Sequence, residues 1–363
     1  MLGANSQAPA SARRTLETRW LGLLLGALAL AGLYFVARNL DWAATLRTLH
    51  QLGARAPLIV LPYAVVLSCD TLGWRFTFEK PRELAYATLW RVRVATEAVA
   101  NSLPAGPALA ETVKAFILQR RLGLQLSAAA GNVVLAKFAL AISQSLFLIV
   151  ALALAMPTLS DNSHAVLGRE GLEWYALGVA FGFLLIVCLG LWSLSHGRLL
   201  SRFTHHGRRL GGGWLRHRLE RLHPRLERIE HAFGAFARVP QLQSLAAIVM
   251  FSCGWVCLGC ENFVILRLLG SDVTPGQAIS MEAVLSVVRI VFFLVPSALG
   301  AQEAGYYLVL RAYGVSQPEV VAAAFMLAKR TKELVWIGIG YSVLSSLHVR
   351  VRDAAAGRPV TRP

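Results

Sequence analysis

Apolar positions along this chain gather in long unbroken stretches, with neither the period of a half-buried strand nor the single stripe of a soluble amphipathic helix. Six stretches reach the ~18 residues that carry a helix across hydrocarbon: 20–37, 57–74, 126–156, 172–194, 244–268 and 320–347. Two more, 88–121 and 278–312, are broken in the middle by Pro and Gly and carry charges. A helical limb of ~15 residues rises only ~22 Å, short of the ~30 Å hydrocarbon core. These two segments therefore read as hairpins that enter and leave by the same face. The fold expected is an all-α polytopic membrane protein with about six full spans plus two proline-broken re-entrant hairpins.

A shift of 192 positions superposes the two broken segments. Pro104 falls on Pro296, Glu111 on Glu303, and Leu135-Ala136-Lys137 on Leu327-Ala328-Lys329. Each copy reads Pro, six residues, Glu, a short helix, a turn with glycine (Gly123 or Gly314), and a long span with Lys near its middle. Three spans separate the copies, and three is odd, so the copies enter from opposite faces as inverted repeats. The first dips in from the cytoplasm through 89–103, turns at 101–107 and returns through 108–121; the second, from 278–295, does the same from outside. Both tips then approach the bilayer midplane. Two full crossings in place of each hairpin preserve the same topology.

The chain is 56% hydrophobic and 15% charged, more apolar side chain than one soluble core buries, so lipid covers much of it. A net charge of +16 could point to nucleic acid, but its distribution points elsewhere. The basic residues collect before the first span, after the second, in 198–238 and at the chain end, all on one side if spans alternate. That side is cytoplasmic by the positive-inside rule. The segment 38–56, with Arg38, Arg47 and Arg55, fits this less well. The organisation expected is a cytoplasmic tail over 1–19, a first membrane half over 20–195, a basic cytoplasmic loop over 196–241, a second membrane half over 242–348 and a basic cytoplasmic tail over 349–363. In the central loop Leu215, Leu219, Leu222, Leu226, Ile229, Phe233 and Phe236 recur at helical spacing between arginines. They predict an amphipathic helix on the inner leaflet, kinked at Pro224. The first stretch is too long for a signal-peptide core and is read as a retained span.

At each hairpin tip the second limb begins with free N–H groups pointing inward, the arrangement that attracts anions and that broken transporter helices use at the midplane. Ionisable groups in hydrocarbon cost several kcal/mol unless paired or hydrated, yet this chain keeps many. The candidate head-group site comprises Glu97, Asn101, Pro104, Glu111 and Lys137 from the first half, with Lys114 close by. From the second half come Arg289, Pro296, Gln302, Glu303, Lys329, Arg330, Lys332 and Glu333. All these charges are expected to face one internal cavity. Glu97 and Arg289 occupy equivalent places with opposite charge, which suggests a pair across the pseudo-two-fold axis. The cluster 329–333 holds four charges in five residues; Glu333 alone does not pair them all, so the remainder must meet water, a lipid head group or other protein. Cys253, Cys257 and Cys260 have iron–sulfur-like spacing but lie within an apolar helical run, and read as small-residue packing. His205-His206 reads as a solvated pair. Neither a nucleophile with its base, nor a metal-ligand set, nor a phosphate loop is recognisable, so no enzyme activity and no cofactor is expected.

Residues 98–106 with Glu111, and above all Phe292-Phe293-Leu294-Val295-Pro296-Ser297-Ala298-Leu299-Gly300-Ala301-Gln302-Glu303-Ala304-Gly305 followed by Ala328-Lys329-Arg330, Lys332, Glu333 and Leu334, resemble the flippase-like transmembrane domain of lysylphosphatidylglycerol synthases. Within that family the resemblance is closest to the stand-alone branch associated with hopanoid biosynthesis. It implies a multi-pass protein of the bacterial inner membrane, both termini cytoplasmic, with membrane lipids as its partners. It also implies that the hairpin at 296–305 and the cluster at 329–333 lie in a central cavity. The soluble aminoacyl-transfer domain of the full synthases is not seen after Leu347, so lipid aminoacylation is not expected. The leading expectation is a non-enzymatic translocator or transporter of a polar or anionic lipid. Its rival is an accessory subunit that presents lipid to a separate biosynthetic enzyme.

Overall fold

A computed structural model describes residues 42–50, 52–103, 106–161, 170–196, 239–291, 301–347 and 349. The expected first span, residues 197–238 of the basic central loop with its amphipathic helix, the tail residues 1–19 and 350–363, Pro104 and Pro296 lie outside the described residues. Every regular element among those described is helical, as the apolar stretches require. In chain order they are α1 (Trp42–His50), α2 (Leu61–Phe76), α3 (Tyr86–Ser102), α4 (Gly106–Leu122), α5 (Leu126–Leu154), α6 (Met156–Asp161), α7 (Leu172–His196), α8 (Gln241–Leu268), α9 (Pro275–Val291), α10 (Ala301–Ala312) and α11 (Pro318–Ser346). Short 3-10 turns at Gly53–Ile59 and Pro81–Glu83 precede α2 and α3.

Among the described residues, four helical segments are long and apolar enough to cross a membrane: Gly53–Phe76, Ala128–Leu154, Leu172–Trp192 and Gln241–Leu268. Helix α11 matches them in length at 29 residues but interrupts its apolar run with Lys329, Arg330, Lys332 and Glu333. Helix α7 shows what faces lipid. Trp174, Tyr175, Phe181, Leu185, Ile186, Leu189 and Trp192 are all more than half exposed. Trp174 and Trp192, at its two ends, stand ~27 Å apart along the axis, close to the spacing of the two aromatic belts of a bilayer.

The broken segments form two pairs of short helices, α3 with α4 and α9 with α10, and the members of each pair pack on one another. Some element boundaries recur at the spacing of 192 positions. Helices α5 and α11 are both 29 residues long and begin 192 positions apart, at Leu126 and Pro318. Helices α2 and α8 end 192 positions apart, at Phe76 and Leu268. The turns before α5 and α11 contain Gly123 (φ +66°) and Gly314 (φ +71°), left-handed conformations in which a side chain is strained.

Among the described residues, helices α2 and α8 make the most extensive contact. Its closeness follows from small residues: a Cβ at Gly73 would lie 2.9 Å from the Phe251 ring. The second large contact crosses the halves, α3 against α11. There a Cβ at Gly340 would sit 2.5 Å from Ala98 Cβ, as expected where small residues let membrane helices approach. Ser102 Oγ and Tyr341 OH are 2.6 Å apart across this contact, and Arg121 reaches the Leu347 carbonyl at 3.0 Å. One apolar core (Leu89, Val92, Val113, Ile117 and neighbours) binds α3 and α4 to the start of α5 and the end of α11. A second (Ile265, Met281, Leu285, Tyr306, Phe325) binds α8 to α11. In the exposed turn after α2, Lys80 pairs with Glu83 at 2.9 Å, and that hydrogen-bonded carboxylate raises the pKa of the ammonium.

Candidate functional site

In the first half, six charged side chains converge from four helices: Asp70 on α2, Arg93 and Glu97 on α3, Glu111 and Lys114 on α4, and Lys137 on α5. Helical spacing supplies two of the contacts, because residues three or four apart share a face: Arg93 pairs with Glu97, and Lys114 Nζ lies 3.1 Å from Glu111 Oε2. Neighbouring helices supply the rest. Arg93 Nη2 donates to Asp70 Oδ2 at 2.7 Å, and Lys137 Nζ lies 2.8 Å from Glu111 Oε1. Glu97 Oε1 also accepts from Tyr63 OH (2.5 Å) and Asn101 Nδ2 (3.0 Å). Lys114 Nζ stands 5.0 Å from the centre of the Trp74 ring, a cation–π contact. Trp74 is fixed in turn by donation to Asn132 Oδ1 at 2.8 Å, while Asn132 Nδ2 donates to the Thr77 carbonyl and hydroxyl. All six charged side chains line one cavity of about 90 Å³. Lys137 is the open member, its side chain 49% exposed; the other five are mostly covered.

The second half holds a tighter network. Lys332 Nζ meets Glu261 Oε1 at 2.6 Å and lies 4.1 Å from the Tyr63 ring centre. Lys329 Nζ donates to Asn262 Oδ1 at 2.8 Å, with Glu282 Oε2 at 3.8 Å and Glu261 Oε1 at 3.9 Å. Asn262 Nδ2 donates to Glu282 Oε2 at 2.7 Å. Arg289 pairs with Glu282 and donates to Ser286 Oγ at 2.5 Å. Arg330 binds Glu333 at 2.8 Å and reaches toward Glu303 at 3.7 Å. Glu261 and Glu282 are fully buried, and Lys329 and Lys332 nearly so. A charge so enclosed is tolerated only when paired and hydrogen-bonded, which is the condition each of these meets.

The halves use equivalent positions in related ways. Glu111 and Glu303, each on the second limb of its pair, both face a cation of the following 29-residue helix. Asp70 and Asn262, also 192 positions apart, each bind a side chain of the adjoining first limb, Arg93 and Glu282 respectively.

Several expected site residues are therefore brought together, but as two groups. Glu97, Glu111 and Lys137 line the first-half cavity, and Asn101 contacts it through Glu97. Arg289, Lys329 and Lys332 belong to the buried second-half network, with Glu303, Arg330 and Glu333 beside it. Gln302 lies half-buried in the first turn of α10. The suggested pair between Glu97 and Arg289 is not formed. Each has a nearer partner on its own helix: Arg93 one turn from Glu97, and Glu282 two turns from Arg289. Of the alternatives for the surplus charge at 329–333, other protein is what those side chains meet. Sequence reasoning missed Asp70, Arg93, Glu261, Asn262 and Glu282 as members of these groups. The available signal was a carboxylate inside an apolar run, which demands a partner of opposite charge.

A family model described as the lysylphosphatidylglycerol synthase TM region matches residues 19–329. No curated protein and no solved structure matches the chain.

Proposed function

From the premise that this chain belongs to the lysylphosphatidylglycerol synthase TM region family, and so is a multi-pass membrane protein tied to lipid metabolism, we propose that it is a non-enzymatic translocator of a polar lipid. The observation that carries this reading is the first-half cavity. Six ionised side chains are held among apolar helices around a space that admits a small polar group, and hydrocarbon alone would not sustain them. In this reading the lipid head group enters that cavity while its acyl chains stay in the bilayer.

The matching boundaries of α2 with α8 and α5 with α11 support an inverted repeat, in which the α3–α4 and α9–α10 pairs are re-entrant hairpins from opposite faces. Limbs of 17, 17, 17 and 12 residues rise ~18–25 Å, which favours dipping over crossing. With the first apolar stretch counted, the chain then has six full spans, both termini in the cytoplasm. The bacterial inner membrane and a link to hopanoid lipids follow from the sequence resemblance and belong to the same proposal.

Reconstitution into vesicles carrying head-group-accessible fluorescent lipids tests it. Addition of a membrane-impermeant quencher should bleach about half the signal in empty vesicles and nearly all of it where the protein moves lipid. Lipid that co-purifies with the protein but never crosses the bilayer would replace translocation by the accessory, lipid-presenting role.

A further inference from the structure

We propose that the first-half cavity receives a zwitterionic phospholipid head group, its phosphodiester against Lys137 and Lys114 and its primary ammonium against Asp70 and Glu97. The inference deepens the reading of that cavity as a head-group site and rests on it.

Arg93 is shared by two carboxylates, Asp70 and Glu97. Glu111 is shared by two ammonium groups, Lys114 and Lys137. One end of the cavity therefore carries an excess negative charge and the other an excess positive charge, while the six together sum to zero. The second-half network offers no compensating surplus, since Glu261, Glu282, Glu303 and Glu333 balance Arg289, Lys329, Arg330 and Lys332. A net anion entering this enclosure brings an uncompensated charge into a poorly solvated space, which is costly. A dipolar head group aligned with the two poles brings none.

Bonding capacity remains at both poles. An ammonium has three donors; Lys137 directs one at Glu111, and its side chain is half exposed. A carboxylate has about four acceptor sites. Asp70 accepts from Arg93 through Oδ2, and Oδ1 takes no hydrogen bond from the described residues. Gly254 lets α8 pack close beside that oxygen, for a Cβ there would lie 2.9 Å from Oδ1. A primary ammonium fits this pole better than a quaternary one because it donates hydrogen bonds.

Native mass spectrometry of the purified full-length protein in detergent tests the proposal, with dioleoyl phosphatidylethanolamine and dioleoyl phosphatidylglycerol in competition. Phosphatidylethanolamine should be retained about tenfold or more over phosphatidylglycerol, the fold-change carried by one charge-assisted hydrogen bond. Asp70→Asn and Glu97→Gln, which leave the cavity net positive, should shift the preference toward phosphatidylglycerol. Lys137→Gln, at the half-exposed position where folding tolerates change, should weaken phosphatidylethanolamine binding about tenfold. Wild-type preference for phosphatidylglycerol, or undiminished phosphatidylethanolamine binding by a folded Lys137→Gln protein, would overturn the inference. Free phosphoethanolamine should compete only at much higher concentration than the lipid; competition at equal concentration would make the ligand a soluble compound and overturn the lipid assignment. Selective retention without movement in vesicles removes the translocator and leaves this inference standing. Movement of phosphatidylglycerol with no preference for phosphatidylethanolamine does the reverse.

Discussion

Replacing Lys332 by Met keeps most of the side-chain volume and removes the charge that faces Glu261. Both groups are buried, their nearest atoms are 2.6 Å apart, and Glu261 Oε2 has no hydrogen-bond partner of its own. Breaking a buried pair from one side costs about 3–5 kcal/mol, because the survivor is left charged and unsolvated. Here the cost should fall near the lower end, about 3 kcal/mol, since Lys329 remains 3.9 Å from the same carboxylate oxygen. Met also preserves a contact with the Tyr63 ring that Lys332 makes at 4.1 Å. Glu261→Gln should cost a similar amount by stranding Lys332. The double variant carries neither charge, so its loss should be smaller than the two single losses summed, by about 2 kcal/mol or more. Unfolding in mixed micelles, followed by tryptophan fluorescence against added SDS, gives the four free energies of the cycle. Additive losses would show that the pair is not coupled and would refute the reasoning.

The close crossing of α3 and α11 predicts that Gly340→Ala destabilises by about 1–3 kcal/mol through overpacking, whereas Gly338→Ala, which points into open space on the same helix, is neutral or stabilising; the same SDS titration compares them. For topology, single cysteines at positions 205 and 163 of a cysteine-free protein should differ toward an impermeant thiol reagent in intact cells. Position 163 should label and 205 should not, and the opposite pattern would overturn the cytoplasmic placement of the central loop.

Helices and their ends were legible because apolar length and glycine at a turn are local properties. The stretches beginning at 126, 172 and 244 appear as α5, α7 and α8, and the glycines expected to end the second limbs adopt left-handed turns. The polar residues were legible as costs: Glu111, Lys137 and the 329–333 cluster stand out in apolar context. Their partners were not, since sequence gives a residue's depth in a helix but not which neighbour its face meets. Glu261 illustrates the difference. It lies in a run that reads as apolar packing beside three cysteines, and only the arrival of α11 shows what balances Lys332. The Glu97–Arg289 pairing failed for the related reason that equivalence in a repeat does not imply contact; Arg93 and Glu282 were nearer on their own helices.

The closure of each ionic network within its own half bears on how the protein enters the membrane. Asp70, Arg93, Glu97, Glu111, Lys114 and Lys137 find their counter-charges between residues 70 and 137, and those of the second set lie between 261 and 333. During synthesis, the first group can be neutralised while the central loop is still being translated, and no ion in it has to wait in lipid for a partner encoded two hundred residues later. The contacts that join the halves, α2 with α8 and α3 with α11, are mainly apolar or uncharged and are indifferent to delay in a hydrocarbon solvent. The order of assembly thus follows from where the charges sit in the chain: ions first within each half, then the small-residue seams between them.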